Sequence, residues 1–233
     1  MDDSGVRRYC LVGVLAVLLC LPAAEASPQT QQEAYLSWSA EQAENVGKSM
    51  RSDGRVGGRF DTRILKTDRA YNYKLRATWL TPEVIRASAR IEQLRSRLSD
   101  EQTRTLVAEA EAAGHTVILV EIDPREGSGV IPLDWRAVLQ VTDWKPGMRE
   151  SVLGASMPQL KVIKALAGVV RRDYSYDVFW VVFPLLDDTG VPVFADAVRD
   201  VELVVGIHDK EGAVRWPLPV SIRQRALALS QKK

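Results

Sequence analysis

The stretch Glu121–Trp135 gathers the side chains best suited to chemistry. Glu121, Asp123 and Glu126 crowd against Gly127-Ser128-Gly129, and Asp134 follows the next apolar run. Grouped carboxylates ligate hard cations and serve as the acid and base of hydrolysis. A calcium loop sets its oxygens at fixed offsets, as D-x-[DN]-x-[DN]-G with a distant Glu. Asp123, Glu126 and Ser128 miss that register, and Pro124 stiffens the wrong position. Alternation along Val120-Glu121-Ile122-Asp123 predicts both acids on the solvent side of a strand. Gly127 and Gly129 then allow the reversal into Val130 and Ile131. A solvated hairpin loop accounts for every residue, and no metal or cofactor site is expected.

Other candidates are weaker. Glu44–Ser49 contains the Gly-Lys-Ser of a phosphate loop, but the first glycine that motif requires falls at Gln42. Without it no cradle of N–H groups forms. Gly154–Pro158 places Ser156 in part of a nucleophile elbow, with Pro158 where the second glycine belongs. A triad would draw on His115, just past a helix end, or His208, beside Asp209. Asp187, Asp188, Asp196, Asp200 and Glu202 offer carboxylates, and "DDTG" has a ready explanation as a turn. The weak catalytic set is Asp123, Glu126 and His208. Among aromatics, Trp180 and Phe183 read as core, whereas Trp135, Trp144 and Trp216 lie nearer loops and are candidates for a binding surface.

The head of the chain bears on where such chemistry would operate. Arg7 and Arg8 precede an unbroken apolar run from Cys10 to Leu21, and "PAAEAS" supplies small residues for cleavage after Ala26. This is the pattern of a secretory signal peptide over residues 1–26. The run is shorter than the roughly 20 residues a helix needs to cross a bilayer, so no stable membrane span is expected after cleavage. An uncleaved anchor helix is the alternative. Leu19 before Cys20 argues against lipidation. Cys10 and Cys20 are the only cysteines, so the mature chain has no disulfide, thiolate nucleophile or Cys-based zinc site. The formal charge of +1 gives no long-range attraction to nucleic acid or anionic lipid. Arg86, Arg90, Arg97 and Arg104 are expected to form a solvated helix face.

The elements that position these residues follow from periodicity. Residues 27–68 are expected to form a loosely ordered N-terminal arm, with a short helix over 33–50 and a Gly-rich loop through "RSDGRVGGRFD". Tyr71, Tyr73, Leu75, Ala77 and Trp79 alternate with polar residues and predict a half-buried strand. Thr81-Pro82 opens a helix burying Val84, Ala87, Ile91, Leu94 and Leu98. Ser99 and Gln102 form a capping box for a second helix, with Leu106, Val107 and Ala110 on its apolar face and Gly114 closing it. Strands are expected at Thr116–Ile122, Gly129–Trp135, Ala137–Val141, Asp177–Leu186, Asp200–His208 and Ala213–Leu218, with a polar loop at Asp209–Gly212. Residues 160–171 read as strand, though Leu160, Ile163, Ala167 and Val170 also fit a helix face. Val191–Phe194 reads as a short edge strand interrupted by Pro192, and residues 221–233 as a terminal helix or tail.

The expected fold is α+β, a helical hairpin packed on an antiparallel sheet or β-sandwich spanning residues 71–220. The expected protein is exported, to the periplasm or outside the cell. It is a non-catalytic binding or structural partner of a protein or envelope component. A carboxylate-based hydrolase is the alternative.

Overall fold

The computed structural model describes residues 33–57, 72–123, 131, 133–143, 150–169, 176–194 and 197–231. One compact unit runs from Ala34 to Lys233. It is α+β, with four helices and two antiparallel sheets among the described residues.

After a 3-10 turn at Ala34–Ser37, α1 spans Ala40–Lys48. Ser39 caps it, its hydroxyl accepting the N–H of Gln42 while the Gln42 side chain accepts the N–H of Ser39. Strand β1 is Arg51–Gly57 and β2 is Asn72–Leu80, paired in register from Arg51↔Thr78 to Gly57↔Asn72. Helix α2, Pro82–Ser96, starts with Thr81 as N-cap and proline in its first turn. It stops where Arg97 adopts a left-handed conformation (φ 54°). Helix α3, Asp100–Ala112, carries the reciprocal Ser99–Gln102 cap, and Gly114 at φ 151° turns the chain out. The sequence forms this hairpin because its caps satisfy orphan N–H groups in each first turn.

The remaining strands are β3 (Thr116–Asp123), β4 (Arg136–Val141), β5 (Ser151–Leu153), β6 (Ala155–Ser156), β7 (Asp177–Phe183), β8 (Asp200–Ile207) and β9 (Lys210–Pro217). Helix α4, Val220–Ser230, follows. One sheet, here sheet A, has the order β1-β2-β3-β7-β6, and sheet B has β5-β4-β8-β9.

Burial follows from two layers of apolar side chains around sheet A. Tyr73, Leu75, Ala77 and Trp79 join Ile118, Val120 and Ile122 in the larger cluster, together with Leu139, Leu203, Val205 and Trp216 of sheet B. From the opposite face of sheet A, Leu80, Val117, Leu119 and Trp180 pack with Val84, Ile85 and Ala89 of α2 and Val107 and Ala110 of α3. Sheet A is thus covered on both faces over much of its area. All eight residues of β3 are buried, the apolar run Val117–Val120 and also the acids Glu121 and Asp123.

Several expectations are corrected. Residues 34–57 are built into the fold: Tyr35, Ala43 and Gly47 are buried, and "RSDGRVG" is a strand rather than a loop. Glycine serves here for close approach, since a Cβ at Gly54 would meet Val214 Cγ1 at 2.7 Å and one at Gly212 would run into the Arg55 carbonyl. Residues 58–68 of the expected arm lie outside the described residues. Of the segment read as strand over 160–171, residues 170 and 171 lie outside the described residues, and the rest forms 3-10 turns at Pro158–Val162 and Lys164–Leu166. The Leu166 carbonyl accepts the Trp180 indole N–H, so this piece is fixed by tertiary contact, not by strand pairing. Leu94 is 42% exposed because α2 turns Ile85, Ala89 and Gln93 inward instead. The β8–β9 reversal comes earlier than expected, at His208-Asp209, with His208 at φ 54° and Lys210 already paired to Ile207. Val191–Phe194 contributes a single bridge, Leu186↔Pro192, and of the strand expected over Gly129–Trp135 the described residues form a turn leading into β4.

Candidate functional site

Of the acids singled out from the sequence, Glu121 and Asp123 lie on the helix-side face of sheet A, beyond the apolar patch. Residues directly opposite one another in antiparallel strands share a face. The register aligns Asp53, Arg76 and Glu121 in one row and Arg55, Lys74 and Asp123 in the next. Arg76 Nε donates to Asp53 Oδ1 at 3.1 Å, and its Nη1 lies 3.8 Å from Glu121 Oε1. Lys74 Nζ is 3.2 Å from Asp123 Oδ2. Arg51 Nη2 reaches Asp53 Oδ2 at 3.2 Å. The Arg76 guanidinium also stands 4.6 Å from the centre of the Tyr176 ring, within cation–π range.

The expectation that Glu121 and Asp123 face solvent is overturned. Their side chains are only 10% and 8% exposed, flanked by Arg76 and Lys74 of β2 and, at Glu121, by Val178 of β7. A buried carboxylate is retained only with a partner, and the strand register supplies one to each. Burial pulls the Arg76 pKa down. The hydrogen bond to Asp53 and the charge of Glu121 outweigh it, so Arg76 titrates above the ordinary arginine range. The arrangement holds charge in place across three strands.

His208 is exposed at the β8–β9 turn of sheet B, whereas Asp123 ends a strand of sheet A and faces its Lys74 partner. Glu126 lies outside the described residues. No group of three or more His, Asp, Glu or Cys among the described residues is arranged to hold a metal. His115 is tied into the fold, its Nδ1 accepting the Leu185 N–H at 3.0 Å.

The tryptophans divide. Trp216, expected near the surface, is 4% exposed and meets Trp79 edge-on at 5.8 Å, because the face of β9 that carries it turns into the larger cluster. Trp135 is half-buried against Phe179, with ring centres 4.6 Å apart. Trp144 lies outside the described residues. Trp180 and Phe183 are core, as expected. "DDTG" is turn chemistry: Asp187 Oδ1 accepts the N–H groups of Thr189 and Val191 and the Thr189 hydroxyl. Two of the four helix arginines are structural ties rather than a solvated face. Arg90 Nε donates to the Trp38 carbonyl at 2.8 Å, and Arg86 lies 3.5 Å from Glu111.

Sequence reasoning passed over Asn72. It is 3% exposed, and neither its Nδ2 nor its Oδ1 finds a hydrogen-bond partner among the described residues. It sits two positions before Lys74, on the same face of β2. Its alternation with Tyr73 marked it as polar-out, and nothing local signals that this end of the strand is enclosed.

Comparison with protein-family models, with curated proteins and with solved structures finds no match to this chain.

Proposed function

We propose that the protein is an exported, non-catalytic binding or structural component of the cell envelope or extracellular space, its two sheets packed as a β-sandwich. The observation that carries the non-catalytic part is the Lys74–Asp123 pair, set beside the Arg76–Glu121 pair. A carboxylate that neutralises a cation on the neighbouring strand is engaged in holding the sheet. The imidazole proposed to act with it belongs to a turn of the other sheet. Export rests on Arg7, Arg8, the run from Cys10 to Leu21 and the small residues ending at Ala26. No helix among the described residues is long and apolar enough to cross a membrane.

The test is expression with the native N-terminus in a secreting host, followed by mass spectrometry of the exported chain. A terminal peptide beginning at Ser27 supports the reading. A retained Met1 region replaces it with an anchored protein. Hydrolysis of a panel of model glycosides and esters that disappears with Asp123→Asn would overturn the non-catalytic part.

A further inference from the structure

Sheet B has one face in the core and one outside it. Leu139, Val141, Leu203, Val205, Val214 and Trp216 point inward. On the other face the register aligns Leu153, Val138, Val204 and Ala213 in a single row across all four strands. Leu153 is 68% exposed, Ala213 is exposed, and Val138 and Val204 are half-buried. Polar rows flank this apolar row. On one side Gln140 Nε2 donates to Glu202 Oε2 at 3.0 Å, and Arg215 Nη2 lies 3.8 Å from Glu202 Oε1. On the other, Arg136 reaches across Gly206 to Glu211, Nη2 to Oε1 at 2.6 Å. A Cβ at Gly206 would meet the Arg136 side chain at 2.8 Å, so glycine leaves the path for that pair.

We infer that this face docks a second copy of the same chain, apolar row on apolar row. The charge pattern selects that occupant. Each flanking row carries one arginine and one glutamate, so neither an acidic nor a basic partner is attracted as such. A two-fold axis along the apolar row exchanges the flanking rows and keeps strand positions. It places Arg215 of one copy over Glu211 of the other, both on β9, and their symmetry mates likewise. The same operation keeps the strands of the two sheets aligned, the usual geometry of face-to-face packing. Four strands about 4.8 Å apart make a face only about 20 Å wide. With strands of at most eight residues, about 26 Å, that is about 500 Å² per copy and about 1,000 Å² in all, short of the roughly 1,200 Å² buried by stable interfaces, so the dimer is weak and concentration-dependent. The inference is independent of export and of the ion pairs on sheet A.

The experiment is sedimentation velocity of the full chain over a wide concentration range. A monomer that shifts to dimer with rising concentration is expected. Leu153→Lys, at a site too exposed to unfold the protein, should weaken association at least tenfold. Arg215→Glu should weaken it too, and adding Glu211→Arg in the same chain should restore it. That recovery cannot come from within one copy, where Glu211→Arg sets a second cation against Arg136. A monomer at every concentration overturns the inference, as does a dimer indifferent to Leu153→Lys or one that the double reversal fails to rescue.

Discussion

Arg76 of β2 stands directly opposite Glu121 of β3, its Nη1 3.8 Å from Oε1, where both side chains are nearly enclosed. Removing Arg76 takes from the enclosed Glu121 carboxylate the cation that the strand register sets opposite it. Arg76→Met should therefore cost about 3 kcal/mol, the low end for a buried pair, since Asp53 remains open to water. The double substitution Arg76→Met with Glu121→Leu should cost less than the single one, because the enclosed carboxylate leaves together with its cation. Urea denaturation of both variants measures this, and a double variant worse than the single would refute it.

Asn72 presents the opposite case. A buried amide without a partner among the described residues carries a desolvation penalty of about 1–3 kcal/mol. Asn72→Val, close in volume and suited to a strand, should leave the melting temperature unchanged or raise it. A clear drop would mean that the amide is engaged in the folded protein.

Trp79 is fully buried, and its indole N–H donates to Thr116 Oγ1 at 2.8 Å. Thr116→Val keeps the shape and removes the acceptor. The expected loss is about 1–3 kcal/mol, read by thermal or chemical unfolding. Thr116→Ser should retain most of the stability by keeping the hydroxyl.

Gly206 and Gly212, on the neighbouring strands β8 and β9, should respond differently to alanine. At Gly212 the new methyl would collide with backbone of β1, which cannot swing aside, and about 1–3 kcal/mol should be lost. At Gly206 it meets the flexible Arg136 side chain, so the cost should stay near the few tenths of a kcal/mol of an exposed ion pair. Equal losses would show that β1 and β9 are not in intimate contact.

Glu92 supplies a pH-dependent prediction. Burial pushes its carboxyl up. Hydrogen bonds from Lys164 (2.9 Å) and Ser96 (2.9 Å) more than offset this and hold it below its ordinary value of 4.5. A depressed folded pKa means stabilisation that is complete above the unfolded pKa and lost as pH falls through the folded one. Lys164→Met should reduce stability at neutral pH, and its effect should fade as pH falls through the depressed pKa of Glu92. Denaturation midpoints across that acid-to-neutral range check the sign.

The sequence alone determined what depends on near neighbours. Thr81-Pro82 and the Ser99–Gln102 box set two helix starts, because those side chains meet N–H groups two or three residues away. Alternation from Tyr73 to Trp79 named the strand face that enters the core, and Asp187 announced its turn. What only the tertiary structure decided is how many layers cover each face. Period-two patterning placed Glu121 and Asp123 on the face opposite Val120 and Ile122, which is correct. It could not say that this face would also be enclosed, with Arg76 and Lys74 delivered by another strand. The same limit hid the burial of Trp216 and the recruitment of Arg51–Gly57 as an edge strand. Burial is a property of what the rest of the chain brings alongside, and no short window of residues contains it.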